Sequence, residues 1–296
     1  MMLQRREMLA AMAALPWMTP ALNAAGKAPK VVLIAGKPSH GPGDHEFNAG
    51  ITLLDKCLKR CGLVEPVVVR GGWPADESVF DGAAAVIFFM DGGGGHPMIQ
   101  STRLGTVMKP LIDRGVGLGC LHYAVEVPKG EPGDRFLDWI GGYYESGFST
   151  NPHWTAEIKS LPQHAITQGV KPFAVKDEWY FNIHFRPDLK SVTPILVATP
   201  DDEARQGKTS YPRGPHPHIV AAKGREEVIS WAVERADGGR GFGFTGGHDH
   251  ENWSDPNFRK LILNAIVWLA KADVPAGGVE SNPTQEELTT GLDPKK

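Results

Sequence analysis

Apolar positions along this chain alternate between two rhythms. Lys30 to Ala35 (Lys-Val-Val-Leu-Ile-Ala) is a continuous apolar run bounded by Gly36 and Pro38, as in a parallel strand buried on both faces. After turn formers from Ser39 to Asp44, residues Phe47, Ile51, Leu54, Leu58 and Cys61 recur at three- and four-residue spacing, which predicts a helix from about His45 to Cys61. Asp44 is placed to cap its start and Gly62 to close its end. Val64 to Val69 and Ala84 to Phe89 read as further strands, Leu104 to Arg114 as a helix, and Val116 to Leu121 as a fourth strand. This alternation predicts an α/β fold with a doubly wound, mainly parallel sheet and helices on both faces.

Between Gly141 and Val233 the rhythm changes. Short segments at Trp154 to Ile158, Thr193 to Ala198 and Val228 to Val233 are separated by Pro- and Gly-rich stretches, so antiparallel additions and long loops over the carboxyl edge are expected. A last helix is predicted from about Pro256 to Ala270, with Asp255 as its cap and Phe258, Leu261, Ile262, Ala265 and Leu269 on one face. Residues 28–275 are expected to form a single domain. Residues 276–296 are polar and aperiodic, the composition of a mobile tail.

The amino-terminal 27 residues carry Arg5-Arg6, an apolar run from Met8 to Leu22 broken by Pro16, Thr19 and Pro20, and then Asn23-Ala24-Ala25. That is the order of a twin-arginine export signal, and the run is too short and interrupted to span a bilayer. A periplasmic or otherwise exported protein is therefore expected, with no stable membrane span once the signal is removed. The net charge of −3 is spread over both signs, so composition points to no nucleic-acid partner and leaves a small molecule as the expected ligand. Of the three cysteines, Cys57 and Cys61 fall four apart on a predicted helix, where Cβ atoms lie about 5–6 Å apart against the roughly 3.5–4.5 Å of a disulfide.

Histidines and acids gather at predicted strand ends: His40 to His45, His96, His122, His153 with His164, and His248 to Glu251 in the run Gly246-Gly247-His248-Asp249-His250-Glu251. Strand ends after the first, third and fourth strands share one edge, so such residues can converge there. Three of them around an open position would suit a catalytic divalent metal such as zinc; the same groups also hydrogen-bond sugars. His122 and His248 have their direction fixed by strand ends, whereas His40, His96 and His184 sit among turn residues that favour loop bracing. Trp139, Tyr143, Tyr144, Trp154, Trp179, Tyr180 and Trp253 supply aromatic faces for stacking on sugar rings, with Trp139 reading as core. Cys120 could instead act as a nucleophile beside His248 or His250. A strained nucleophile elbow wants small residues two places either side, and here these are Leu118 and His122. The glycines 92–95 fit neither GxxxxGK[ST] nor GxGxxG.

Taken together, Gly119-Cys120-Leu121-His122-Tyr123-Ala124, Gln163-His164-Ala165-Ile166-Thr167-Gln168-Gly169, Asp177-Glu178-Trp179-Tyr180, Gly238-Gly239-Arg240-Gly241 and Gly246-Gly247-His248 resemble the trehalose-utilisation (ThuA-like) family of the class I glutamine amidotransferase-like superfamily. The resemblance covers about residues 30–272. It implies a flavodoxin-like core, a link to sugar metabolism through disaccharides oxidised to 3-keto forms, and polar site positions at His45, His122, Glu178, Tyr180 and His248. Family members commonly carry glycine where Cys120 stands, so ammonia transfer from glutamine is not expected. The chain also has His164-Ala165 where the family usually has His-Pro.

The expected function is thus an exported enzyme acting on an oxidised glycoside by hydrolysis, elimination or isomerisation. His122, Glu178, His248 and His250 are the expected catalytic groups, and His45, His96, Tyr123, His153, Trp179, Tyr180 and Trp253 the substrate-binding ones. His45, His122 and His248 are the candidate metal ligands. The alternatives are a sugar-binding accessory protein without turnover and a hydrolase dependent on Cys120.

Overall fold

A computed structural model describes residues 27–295; apart from Lys27, the expected export signal lies outside the described residues. Strands β1 (Lys30–Ala35), β2 (Glu65–Val69), β3 (Ala83–Phe89) and β4 (Gly117–Leu121) run parallel, as the apolar runs predict. Two short antiparallel ribbons follow in the irregular half: β5 (Gly142–Tyr143) with β8 (His184–Phe185), and β6 (Trp154–Ile158) with β7 (Phe173–Asp177). Strands β9 (Val192–Ala198), β10 (Glu227–Glu234) and β11 (Arg240–Phe244) complete a seven-stranded sheet of order β2-β1-β3-β4-β11-β10-β9. Only β10 runs against its neighbours, so the sheet is mainly parallel with an antiparallel extension.

Alternate side chains of β1 enter two separate cores. Val31, Leu33 and Ala35 pack with helices α1 (Phe47–Cys61) and α6 (Pro256–Leu269), whereas Val32 and Ile34 pack toward α2 (Lys109–Asp113) and α3 (Glu131–Trp139). Burial on both faces explains why the strands read as unbroken apolar runs rather than alternating ones. Gly62 closes α1 with φ 68° and donates its N–H to Leu58 O. Asp44 does not cap the helix start. That position belongs to Glu46, whose carboxylate is instead committed to Gly43 N–H and Asp293 N–H. Asp255 caps α6 as expected, accepting from the amides of Asn257 and Phe258. The helix over 104–113 opens with a wide turn in which Lys109 N–H reaches back to Leu104 O.

Short helices α4 (Asp202–Arg205) and α5 (Pro217–Ala221) sit in the loop between β9 and β10. The segment 276–295, expected to be mobile, is drawn onto the domain. Val279 is buried with its N–H on Asn264 Oδ1, and α7 (Gln285–Thr289) opens with a reciprocal Thr284/Glu287 cap. Its anchors are largely polar, Arg60 with Glu287 and Lys295 with Glu46, which hydrophobic periodicity cannot register. No helix among the described residues is long and apolar enough to cross a membrane.

Candidate metal centre

Five chain segments deliver side chains to the carboxyl edge of the sheet: His45 after β1, Asp91 after β3, His122 directly after β4, Glu178 directly after β7, and His248 after β11. Two of the histidines hold left-handed backbone, His45 at φ 46° and His122 at φ 53°. Non-glycine residues persist in that region only where their surroundings over-determine them, and such positions cluster at functional sites. Gly247, at φ 109°, turns the chain after β11 so that His248 faces inward. Asp177 fixes this turn from below. Its buried carboxylate accepts Gly247 N–H at 2.6 Å, His248 N–H at 3.1 Å, Asp249 N–H at 3.2 Å and Glu178 N–H at 2.8 Å.

His45 Nε2 lies 2.9 Å from His248 Nδ1 and 3.0 Å from His122 Nε2. Glu178 Oε2 is 3.2 Å from His248 Nδ1 and 3.5 Å from His122 Nε2, and one ligand atom from each of the four residues lies within 4.8 Å of the others. The outer hydrogen bonds decide which nitrogens carry protons. His122 Nδ1 is 2.8 Å from the carbonyl of Thr245, which can only accept, so Nδ1 bears the hydrogen and Nε2 presents a lone pair inward. His45 Nδ1 is 3.0 Å from Asp91 Oδ1, so its Nε2 also presents a lone pair. Those two nitrogens cannot hydrogen-bond one another as neutral imidazoles. A shared cation would resolve the conflict, and carbonyl or carboxylate groups behind metal-binding imidazoles are the usual means of fixing them.

The electrostatics differ from one donor to the next. Burial, together with the neighbouring His122 and His248, holds the His45 imidazole far below its ordinary pKa and hence neutral. Burial opposes charge on Glu178, but hydrogen bonds and charge from His122 and His248 outweigh it and keep its pKa below the carboxylate range. For His248 burial again opposes charge, while the hydrogen bond to Glu178 prevails and raises its pKa. Three imidazoles and a carboxylate with ligand atoms this close form a group that could hold a metal ion.

The family profile described as ThuA, trehalose utilisation, matches residues 31–269. The chain belongs to the ThuA family. Two solved structures share its fold: a ThuA-like protein from Bacteroides uniformis (16% identity, 86% of this chain and 96% of that one, TM-score 0.55) and one from Parabacteroides merdae (18% identity, 88% and 94%, TM-score 0.55). No curated protein matches the sequence. The ThuA assignment and the sheet order agree with the expected flavodoxin-like architecture.

In this ThuA chain the structure brings together His45, His122, Glu178, His248 and Tyr180, whose hydroxyl is 3.2 Å from His122 Nε2. Tyr123 stands over His45 with ring centroids 5.9 Å apart, and the exposed His153 lies 4.9 Å from His248. Four other expected site residues are placed elsewhere. His250 turns away, its Nε2 on Leu288 O at 2.7 Å, at the start of a short helix (His250–Ser254). His96 is fully buried as a loop brace, bonded to Ala124 O and Met98 N–H. Trp179 packs against Phe244 and Phe258 with its indole N–H on Val175 O, and Trp253 packs against Phe89 and Phe258, so both rings are core rather than stacking platforms. Cys120 is fully buried, and desolvation raises its thiol pKa well above the ordinary range, which leaves no nucleophile.

Several residues were missed as site groups. Asp91 holds His45, Asp177 holds the turn under His248, and Asn151 Nδ2 donates to Glu178 Oε1. His40, read from sequence as a loop brace, stacks on His45 with centroids 3.7 Å apart. Asp91, two residues beyond the apolar strand β3, and Asp177, the last residue of β7, carried a legible hint. Nothing local in the sequence marks Asn151.

Proposed function

We propose that this ThuA chain is an exported enzyme of carbohydrate metabolism that acts on an oxidised sugar, a 3-keto glycoside or a close relative, with a divalent metal such as zinc. His45, His122, His248 and Glu178 would hold the ion. The observation that carries this reading is the pair of inward lone pairs on His45 and His122, 3.0 Å apart with their other nitrogens committed to Asp91 and Thr245. Bound there, a divalent ion supplies Lewis acidity toward a sugar carbonyl or hydroxyl.

The chain's own groups would do the rest. Asp91 and the Thr245 carbonyl would fix the tautomer of the two imidazoles and aim them inward, and Asp177 keeps His248 in register. Asn151 orients Glu178 by its second oxygen. Exposed His40 and His153 stand beside His45 and His248, where each can pass protons between the centre and water. A keto group acidifies its neighbouring C–H, so proton transfer beside an electrophile is enough for elimination or isomerisation. Tyr211, 84% exposed with its N–H on Asn151 Oδ1, offers an aromatic face at the rim that the buried tryptophans do not.

One feature favours a second reading. Four protein donors, all largely buried, also describe a closed structural metal site, which would suit a sugar-binding accessory protein. Metal-loaded and metal-stripped protein incubated with a 3-keto glycoside, with products followed by mass spectrometry, separates the two. Multiple turnovers only when loaded support the enzyme; saturable binding with no product supports the accessory protein and refutes catalysis.

A further inference from the structure

We propose that Lys295 is a positioning residue for His45, acting as the pin of a strap formed by residues 285–295. Its side chain is 4% exposed and reaches both neighbours of His45 in sequence: Nζ donates to the backbone carbonyl of Asp44 and pairs with Glu46 Oε1 at 3.3 Å. The strap adds further ties to the same loop. Asp293 N–H donates to Glu46 Oε2 at 2.7 Å, and Asn48 Nδ2 donates to Asp293 Oδ1 at 2.7 Å. It also reaches the other histidine-bearing loop, since His250 Nε2 bonds Leu288 O.

His45 needs such support. Its left-handed backbone is strained and survives only under imposed geometry. From the domain side it has His45 N–H on His248 O at 2.9 Å and a backbone bridge from Asp44 to Asp249. Lys295 closes the opposite side. It also matches the Glu46 carboxylate, which is 2% exposed and would otherwise be a buried charge without a cationic partner. The strap therefore sets the direction of one donor of the centre without touching the centre itself.

The test reads two quantities, of which only the second rests on the metal-centre reading. The first is amide exchange of residues 43–48 in metal-free protein; the second is cobalt(II) affinity by titration of the visible spectrum. Lys295→Met should speed exchange of that segment and weaken cobalt about tenfold, the size of effect typical for groups that orient ligands. Lys295→Arg should restore most of both. Glu287→Gln, which loosens the strap at Arg60 without touching residues 44–46, should leave both within about twofold, as for an exposed ion pair. Asp293→Ala offers a milder version should the methionine variant fold poorly. Unchanged exchange of 43–48 in Lys295→Met and Asp293→Ala would overturn the strap. Faster exchange with no cobalt uptake by any form, wild type included, would uphold the strap and sink the metal reading alone.

Discussion

Replacing Asp177 with asparagine removes one charge and one acceptor from a fully buried position. Of its two oxygens, Oδ1 serves Glu178, His248 and Asp249 amides, and Oδ2 serves only Gly247, at 2.6 Å. The asparagine amide will keep its oxygen toward the three and turn its NH2 toward Gly247 N–H, opposing donor to donor. Losing that charge-assisted bond and orphaning the buried Gly247 amide together cost about 3 kcal/mol. In a domain of this size that lowers Tm by roughly 6–12 °C. Because the same amides set the turn that aims His248, metal affinity should fall about 10- to 100-fold. Thermal unfolding and metal titration of Asp177→Asn check both. A variant with unchanged Tm and unchanged affinity would refute the claim that Asp177 builds the turn.

Further predictions concern the core around the centre. Burial lowers the His96 pKa from 6.5 to about 4, and its Nδ1 can accept Met98 N–H only while unprotonated. The unfolded chain therefore binds a proton more readily, and the contribution of this site is complete above about pH 6.5 and declines by about 3 kcal/mol as pH falls to about 4. Urea unfolding of wild type and His96→Gln across that window should show a slope in the first that the second lacks; parallel curves would contradict it. Gly243→Ala should destabilise by about 1–3 kcal/mol through overpacking, since the added carbon would lie 2.2 Å from the Trp231 ring; denaturant midpoints test this. Cys120 should resist iodoacetamide in the folded protein while Cys61, only half buried, reacts first, as read by peptide mass mapping; early labelling of Cys120 would reopen the nucleophile reading.

The strands that shape the site were legible because both faces of β1, β3 and β4 are buried, and unbroken apolar runs report that directly. His122 and His248 were legible for a related reason, as polar residues released at or just after strand ends, and Glu178 through the Asp177-Glu178-Trp179-Tyr180 piece that the family resemblance rests on. Direction beyond the strand end was not. Two residues after His248 the chain has already turned, so His250 faces the strap, and nothing in an alternating His-Asp-His pattern encodes that turn. Aromatics misled for the opposite reason: Trp179 and Trp253 lie beside site residues in sequence, but their rings fill the core beneath Gly246 and beside α6. The strap escaped notice because its hold on the domain is largely polar, made by Glu287, Asp293 and Lys295 with partners more than two hundred residues away.

Metal content tests the central claim most directly. Elemental mass spectrometry on purified wild type, His45→Ala and His122→Ala should find about one divalent ion per chain in the first and little in the others, as expected for a set of imidazole and carboxylate donors. Wild type that stays metal-free after dialysis against zinc, manganese or cobalt would contradict it, and the facing nitrogens of His45 and His122 would then have to share a proton instead.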